Sequence, residues 1–242
     1  MTIEEAIKAR HSVRAYKAQP LAEDIVKVLE KEIEEQNRQG HLHIQLVKNE
    51  PKAFQGKLAK YGKFSNVTNY LVMAGQKAED LDERIGYYGE HMVLLAQTLG
   101  LNTCWVGLSY SKIPGTYVLE EGEVIKAYIA IGYGETQGVV HKIKTVGKAS
   151  NASDITPSWF RKGVEAALLA PTAVNQQKFF FHYVSKASHS AERSFEYVGE
   201  KDGRHQVHAK KGFSLVGYTQ MDLGIVKYHF EVGAGKENFE WV

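Results

Sequence analysis

The residues with the most evident chemical potential lie near the N-terminus, in the run Arg10-His11-Ser12-Val13-Arg14. An extended chain points alternate side chains in the same direction, so Arg10, Ser12 and Arg14 would share one side of the backbone. Two guanidinium groups and a hydroxyl group offer several hydrogen-bond donors to a phosphate or a carboxylate. The spacing therefore favours an anion-binding segment, although the same residues also suit a solvated turn.

Other kinds of catalytic chemistry find little support in the sequence. Cys104 is the single cysteine, so no intrachain disulfide can form, and we expect a small buried side chain there. His91 and His229 fall beside apolar helical positions and are expected to be core histidines with hydrogen-bond partners, so no metal site is predicted. No nucleophile–base triad or carboxylate pair is evident.

The composition is that of a globular protein with one large domain or two small ones. Of the 242 residues, 43% are hydrophobic and 24% are charged, which is sufficient for a sizeable core. The formal net charge of +2 argues against a nucleic-acid binder that relies on whole-surface charge. There is no membrane-length apolar run, and the acidic start Met1-Thr2-Ile3-Glu4-Glu5 is unlike a signal peptide, so we expect a cytoplasmic protein.

Periodicity predicts the elements that must position these groups. Thr2, with Glu5 three residues later, suggests a capping box at the start of a first helix, and Gly100 follows the clearest apolar helix stripe as a C-terminal cap. Apolar residues at helical spacing predict helices over residues 2–9, 21–36, 83–99, 158–170 and 221–234. Alternating or apolar runs predict strands over residues 41–47, 69–74, 126–132, 178–184 and 213–218, with a long loop over 135–153.

The second part of the chain repeats the pattern of the first. Gly86 has a counterpart 138 positions later at Gly224, as do its neighbours in the same helix, and the preceding elements recur in the same order. We therefore predict two degenerate repeats, residues 1–149 and residues 150–242. Two generic α/β units of similar length are the alternative.

Each repeat retains a segment that the other lacks. Residues 10–16 have no counterpart in the second repeat. When the two repeats are aligned, the uncharged residues 170–177 correspond to the charged residues 34–39 of the first repeat. This pattern is expected if a symmetric dimer with two sites became one chain with one site. We therefore predict a monomer that acts as a pseudo-dimer.

Four segments carry motifs of a known family. They are Ala9-Arg10-His11-Ser12-Val13-Arg14-Ala15-Tyr16, Gly100-Leu101-Asn102-Thr103-Cys104-Trp105-Val106-Gly107-Leu108, Ile129-Ala130-Ile131-Gly132-Tyr133-Gly134 and Leu169-Ala170-Pro171-Thr172-Ala173-Val174-Asn175-Gln176-Gln177. Together they resemble the nitroreductase family, in the branch with a duplicated single chain. The resemblance covers most of the chain, although Lys178 stands where the family has a proline. It implies an α+β fold of mainly antiparallel sheets flanked by helices, with a bound FMN.

The resemblance also implies roles for individual residues. Arg10 and Ser12 would hold the FMN phosphate, Arg14 would reach the pyrimidine edge of the ring, and the backbone of residues 105–108 would lie beside the ring. Two later lysines, which could equally be plain surface residues, would complete the phosphate site, and three residues of the second repeat would cover the ring or the ribityl chain. The predicted cofactor-binding residues are Arg10, His11, Ser12, Arg14, Trp105, Val106, Gly107, Leu108, Lys142, Lys144, Pro171, Thr172 and Asn175.

A flavin performs the redox chemistry itself, so the protein needs no nucleophile or acid–base pair of its own. We expect an FMN-dependent oxidoreductase that passes electrons from NADH or NADPH to nitro compounds, quinones or similar small-molecule acceptors. No Rossmann glycine motif is present to indicate which nicotinamide is used. A non-catalytic flavin store or sensor, and another flavin chemistry on the same scaffold, stay open as alternatives. No nucleic-acid or membrane partner is expected.

Overall fold

The computed structural model describes residues 1–184 and 205–242, which fall into two compact units: unit 1, Met1–His141, and unit 2, Lys142–Val242. The helices are α1 (Ile3–Ala9), α2 (Glu23–Gly40), α3 (Lys57–Tyr61), α4 (Leu81–Thr98), α5 (Val146–Ala149), α6 (Ser158–Leu168) and α7 (Thr219–Ala234). The strands are β1 (Gln45–Val47), β2 (Tyr70–Gln76), β3 (Asn102–Val106), β4 (Glu123–Gly132), β5 (Phe179–Val184), β6 (His205–Lys211) and β7 (Phe239–Trp241). Within the described residues, no helix has both the length and the apolar character needed to cross a membrane.

Unit 1 contains a four-stranded antiparallel sheet in the order β1-β2-β4-β3. The central pair is β2 and β4, where Leu71 lies opposite Ile129 and both side chains are fully buried. Strands that are covered on both faces are apolar throughout, and β2 accordingly has no exposed residue before Gln76. The helices and antiparallel strands confirm the expected α+β architecture.

Local signals in the sequence set the ends of two helices in unit 1. Thr2 Oγ1 accepts a hydrogen bond from the Glu5 N–H at 3.2 Å, and the Glu5 carboxylate accepts one from the Thr2 N–H at 2.8 Å, which confirms the capping box. Gly100 has a φ of +79°, and the N–H groups of Gly100 and Leu101 both donate to carbonyls in the last turn of α4. This is a Schellman motif, which needs the left-handed backbone that glycine adopts readily.

Helix α4 is buried on more sides than its apolar stripe predicts. Ile85 and Met92 of that stripe are buried, whereas Tyr88, Leu95 and Leu99 are only half-buried. A second face, made of small residues and one glutamate, is buried as well: Gly86, Gly89, Glu90, Val93 and Ala96. The small side chains allow neighbouring elements to approach the helix axis closely.

Unit 2 packs a three-stranded sheet against α7, which in turn packs on α6. β5 and β6 are antiparallel, whereas β6 and β7 are parallel and are connected through α7. Such a parallel pair requires a crossover connection, which the helix supplies. The core is a group of contacting aromatic rings: Phe160, Phe181, Phe230, Phe239 and Trp241.

The predicted strand over residues 213–218 is wrong. Residues 212–218 are irregular, and Phe213 and Leu215 are 82% and 94% exposed. The partner of β5 is instead β6, in which the charged and polar residues outnumber the apolar ones. The position of β6 is decided by its pairing with β5 and not by its own apolar content. The apolar run at residues 213–218 was therefore a misleading indication of a strand.

Other boundaries shift by smaller amounts. The strand predicted over residues 41–47 is limited to β1, and the loop predicted over 135–153 contains the short helix α5. The helix predicted over 21–36 runs from Glu23 to Gly40. The descent of the two units from a duplicated ancestor, and the repeat boundary at residue 149, stay predictions.

Candidate functional site

The opening segment, residues 10–14, lies extended beside the start of β3. Ser12 forms a parallel bridge with Thr103, and the Val13 N–H donates to the Thr103 carbonyl at 3.0 Å. Because β3 ends with Trp105 and Val106 and leads directly into Gly107 and Leu108, two of the candidate cofactor segments lie next to each other within unit 1.

A second set of backbone hydrogen bonds fixes the residues that follow the opening segment. The Tyr16 N–H donates to the Ser65 carbonyl at 3.1 Å, and the Lys17 N–H donates to the Tyr133 carbonyl at 2.8 Å. Tyr16 is 2% exposed, and its hydroxyl donates to the Val13 carbonyl at 2.7 Å. The side chains of the segment therefore project from a backbone that is held on both sides.

Glu90 of α4 connects the opening segment to β3 inside the core. Its Oε2 accepts the indole N–H of Trp105 at 2.7 Å, and its Oε1 lies 4.0 Å from Nε of Arg10. Glu90 is fully buried, and the Arg10 side chain is 3% exposed. Burial lowers the pKa of the Arg10 guanidinium, and the Glu90 carboxylate opposes that shift. Each buried charge is tolerated because the other compensates it.

Gly89 makes room for the indole that Glu90 binds. A Cβ at position 89 would collide with the Trp105 ring and would lie 2.8 Å from Cε of Met73. Farther along the same segment, Val106 is buried, Gly107 is half-buried and Leu108 is 72% exposed. The segment thus emerges from the core at its C-terminal end.

A loop with a left-handed glycine crosses close to the opening segment. Gly138 has a φ of +78°, and a Cβ there would lie 2.7 Å from Cβ of His11 and 3.0 Å from the Ser12 carbonyl oxygen. The approach is therefore possible for glycine and strained for other residues. Asn102 anchors the loop, because its Oδ1 accepts the Gly134 N–H at 3.0 Å.

His11 carries an unused polar atom in this region. Its Nδ1 is buried and has no hydrogen-bond partner among the described residues. Burial lowers the pKa of His11, and the charges of Arg10 and His141 lower it further. An imidazole in cationic surroundings suits an anionic ligand, which would favour its protonated form.

Arg14 is the exposed cation of the opening segment. Its guanidinium carbon lies 5.9 Å from the centre of the Phe64 ring, within the range of a cation–π contact. Cys104 is buried as expected, and burial raises the pKa of its thiol. The charge of Arg14 and a hydrogen bond with Ser12 act against that increase, which places both side chains near the thiol.

In unit 2, residues 171–177 form a compact polar turn that is hydrogen-bonded to the first residues of the unit, Lys142 and Lys144. The Asn175 and Gln177 side-chain amides both donate to the Lys142 carbonyl, at 2.9 Å and 2.7 Å. Gln177 Oε1 accepts the Lys144 N–H at 2.9 Å, and the Lys144 ammonium donates to the Gln177 carbonyl. Lys142, Lys144 and Asn175 are therefore brought together within this unit.

The remaining candidate residues of unit 2 have different surroundings. Thr172 accepts the Gln177 N–H at 3.0 Å, and Pro171 is half-buried. The pKa of Lys144 is lowered by burial and by two nearby lysines, Lys178 and Lys148. Lysine at position 178, where the family resemblance would have proline, thus adds positive charge near Lys144.

Asp222, in the first turn of α7, holds the same turn from another side. Its carboxylate accepts the Ala173 N–H at 2.9 Å and the Gln176 side-chain amide at 2.6 Å. Asp222 is 3% exposed, and burial raises its pKa to about 6. The turn has left-handed backbone at three non-glycine residues: Val174, Asn175 and Gln177. Hydrogen bonds from several directions fix a conformation that such residues seldom adopt.

Sequence reasoning missed Glu90, Gly138 and Asp222. The signal for Glu90 was available, because small residues recur at helical spacing around it in α4. The two histidines do have partners: His91 pairs with Glu32 at 2.8 Å, and the buried His229 bonds to the Ala166 carbonyl at 3.1 Å.

Comparison with known families gives a match across both units. Residues 2–234 match the family model described as "Putative TM nitroreductase". The chain belongs to this nitroreductase family. The match includes the opening segment, β3 and the polar turn of unit 2.

One solved structure supports the fold of this nitroreductase family member, and others match with lower scores. A "putative nitroreductase" from Thermotoga maritima matches with a TM-score of 0.60 and 22% identity, over 98% of this chain and 85% of that chain. Lower scores come from a nitroreductase in complex with FMN from Desulfovibrio desulfuricans (0.48, 15% identity, 65% of this chain, 99% of that chain) and a nitroreductase with bound FMN from Bacteroides fragilis (0.44, 21%, 65%, 98%). A search of curated proteins finds no match. The Thermotoga structure supports the nitroreductase-like fold.

Proposed function

We propose that this chain binds FMN through the opening segment of unit 1 and acts as an oxidoreductase that passes electrons from NADH or NADPH to nitro compounds, quinones or similar acceptors. The observation that carries the proposal is the placement of residues 10–14 against β3, with the buried Nδ1 of His11 unused among the described residues. Membership of the nitroreductase family supports the same cofactor and reaction class.

The donors in unit 1 fit a phosphate dianion. The opening segment offers an imidazole at His11, a hydroxyl at Ser12 and an exposed guanidinium at Arg14. Because Gly138 has no side chain, its backbone can lie close to His11 and Ser12. A phosphate in this region would find the imidazole of His11 and the exposed guanidinium of Arg14.

The chain's own task in such a reaction is binding and orientation. FMN, when bound, supplies the transfer of electrons between donor and acceptor. The fixed backbone of β3 and its continuation at residues 107–108 would orient the ring, because Glu90 and the space over Gly89 hold Trp105 in place. The exposed Leu108 would offer an apolar contact to a planar ligand. Participation of Lys142, Lys144, Pro171, Thr172 and Asn175 in the same site stays a prediction.

The test is steady-state turnover by the purified, FMN-loaded chain. We expect NADH or NADPH oxidation that depends on an added nitroaromatic compound or quinone and on bound FMN. Arg14→Ala, compared with the surface control Lys162→Ala in unit 2, should lower FMN affinity because it removes the exposed guanidinium. FMN binding without any nicotinamide oxidation would favour a flavin store or sensor, and the absence of FMN binding would refute the proposal.

A further inference from the structure

A short loop of unit 2 leaves large apolar side chains in solvent. Residues 213–216, which we call the apolar arm, follow β6, and Phe213 and Leu215 are 82% and 94% exposed. Inside the arm, the Val216 N–H donates to Ser214 Oγ at 3.1 Å. A group of exposed apolar side chains beside polar residues is typical of a binding surface.

Hydrogen bonds at both ends of the apolar arm hold it against the end of the polar turn, residues 171–177. Before the arm, the Gly212 N–H donates to the Lys178 carbonyl at 2.7 Å, which extends the pairing of β5 with β6. After the arm, the Gly217 carbonyl accepts the Gln176 side-chain amide at 3.0 Å. The exposed apolar side chains therefore belong to a loop of defined conformation.

The polar turn exposes an apolar residue of its own. Val174 is 78% exposed and has a φ of +46°, which is a genuine outlier for a β-branched residue. Strained conformations of this kind persist where the surrounding structure imposes them, and they cluster at functional sites. Gln176, two residues later, is bonded to the end of the arm, so Val174 and the arm are parts of one local structure.

This local structure has a positive charge. Six lysines and no aspartate or glutamate occur in the three stretches that build it: residues 142–153, 166–184 and 205–221. Burial lowers the pKa of Lys144, and the charges of Lys178 and Lys148 lower it further, so these ammonium groups lie near one another. The Asp222 carboxylate meets the turn from inside, where it is 3% exposed. The solvent-facing charge beside the arm is therefore that of lysine.

We propose that the apolar arm, Val174 and Lys178 form a binding site for a planar aromatic anion, such as an aromatic carboxylate or sulfonate. The apolar side chains contact the rings, and the lysine ammonium pairs with the acidic group. This inference rests on the proposed function, because we assign the ligand to the electron acceptor of that reaction. The polar turn is the segment of unit 2 that the family resemblance assigns to the flavin. Lys178 stands where the family has proline, so the preference for an anion belongs to this chain.

The charge pattern decides between this ligand and other occupants of the arm. A second copy of the chain would bring the same lysines to a symmetric contact, and like charges oppose such an interface. A neutral aromatic compound would use the apolar side chains alone, and inorganic phosphate would use the lysine alone. An aromatic anion uses both.

The test compares 2-naphthoate with 2-naphthamide, which has the same rings and an uncharged amide. Isothermal calorimetry at low ionic strength measures both dissociation constants for the FMN-loaded chain, for Lys178→Gln, for the double variant Phe213→Ser/Leu215→Ser and for the surface control Lys162→Gln in α6. We expect the wild-type chain to bind naphthoate about tenfold more tightly than naphthamide. Lys178→Gln should reduce that ratio to about threefold or less. The double variant should weaken both ligands by about tenfold and keep the ratio, and the control should change neither.

A second readout assigns the site to the acceptor. KM is measured for 4-nitrobenzoate and 4-nitrobenzamide with NADH or NADPH as the reductant. Each turnover oxidises one nicotinamide, takes up one proton, and reduces the nitro group to a nitroso group with release of water. We expect Lys178→Gln to raise KM for 4-nitrobenzoate by about threefold or more and to leave KM for 4-nitrobenzamide unchanged.

Four outcomes overturn the inference. Equal binding of naphthoate by the wild-type chain and Lys178→Gln would exclude the lysine, and unchanged binding by the double variant would exclude the arm. Naphthoate binding to the flavin-free chain that saturating FMN abolishes would assign the lysine to the FMN phosphate. Sedimentation that shows a dimer in the wild-type chain and a monomer in the double variant would make the arm an interface between copies.

Failure of the proposed function gives a different result. Naphthoate binding with the expected variant effects, but without oxidation of either nicotinamide in the presence of either nitro compound, would refute the oxidoreductase. It would leave the aromatic-anion site standing and remove its assignment to the acceptor. Turnover in which Lys178→Gln leaves both KM values unchanged would retain the oxidoreductase and refute that assignment.

Discussion

Both units bury a helix glutamate beneath the indole N–H of a tryptophan from the strand that follows the helix. In unit 1, Glu90 of α4 accepts from Trp105 of β3 at 2.7 Å, and in unit 2, Glu231 of α7 accepts from Trp241 of β7, also at 2.7 Å. Both helices thus use one acceptor to fix the next strand.

The cations beside the two glutamates differ. Arg10 is 3% exposed beside Glu90, whereas Lys236 is 74% exposed and lies 3.3 Å from Glu231. A buried cation depends on its counter-charge, while an exposed one is solvated by water. The same hydrogen bond is therefore accompanied by a buried cation in unit 1 and by an exposed cation in unit 2. The cofactor site that we propose lies in the unit with the buried cation.

Replacing each glutamate by glutamine gives the largest expected difference between the units. Glu90→Gln removes the carboxylate charge beside a buried guanidinium and should lower the free energy of unfolding by about 3–5 kcal/mol. Glu231→Gln keeps an oxygen for Trp241 and removes a charge beside an exposed ammonium, so about 1 kcal/mol or less is expected. Urea unfolding at neutral pH measures both. Equal losses would break the comparison, because the burial of the cation would then have no consequence.

A second pair of matched positions uses opposite charges for one task. Arg84 and Asp222 stand 138 positions apart in the first turns of α4 and α7. The Arg84 guanidinium donates to the carbonyls of Gly40 and His41, and Asp222 accepts the Ala173 N–H. Each side chain thus hydrogen-bonds to backbone groups at or after the end of the preceding helix, which is α2 for Arg84 and α6 for Asp222. Burial raises the pKa of the Asp222 carboxyl group to about 6.

Asp222→Asn should therefore change the pH dependence of stability. The folded state binds more protons than the unfolded state between about pH 4 and pH 6, so wild-type stability falls as the pH rises through that range. The asparagine variant should lose this slope, because an amide does not titrate in this range. It should also lose one of the two hydrogen bonds that the carboxylate accepts, because an amide group has a single acceptor oxygen. Urea unfolding from pH 4 to pH 8 measures the pH dependence, with Arg84→Gln as the control that keeps the slope. A slope retained in Asp222→Asn would show that another group titrates.

The ends of the two helices offer a smaller test. Gly100, after α4, has a φ of +79° and open space where a Cβ would stand, whereas a Cβ on Gly235, with a φ of +78°, would lie 2.5 Å from the Glu237 carboxylate. Gly100→Ala should cost about 1 kcal/mol from the backbone alone, and Gly235→Ala somewhat more. Gly100→Asn should recover part of the loss, because asparagine tolerates this conformation. Thermal unfolding measures the series, and an unchanged melting temperature in Gly100→Ala would contradict the left-handed cap.

Local signals explain what the sequence predicted well. The capping box at Thr2 and the glycine after α4 depend on residues within one helical turn, so the helix ends could be placed. The antiparallel α+β class was also predictable, since β2 and β4 are apolar runs of strand length. The four family motifs led to the correct family.

Long-range contacts explain what was missed. β6 owes its position to pairing with β5, and its own residues are mostly polar, while the apolar run after it lies exposed. Glu90 meets Arg10 and Trp105, which lie 80 residues before and 15 residues after it, so no spacing rule connects the three. Asp222 reaches Ala173 in the same way, across 49 residues.

The most direct test of the account is the binding stoichiometry of FMN. Titration of the flavin-free chain, followed by isothermal calorimetry or by quenching of flavin fluorescence, should give one FMN per chain, because the opening segment, to which we assign the phosphate, belongs to unit 1. A stoichiometry of two would show that unit 2 holds an equivalent site and would contradict the asymmetry between the units. No binding at micromolar FMN would contradict the proposed function itself.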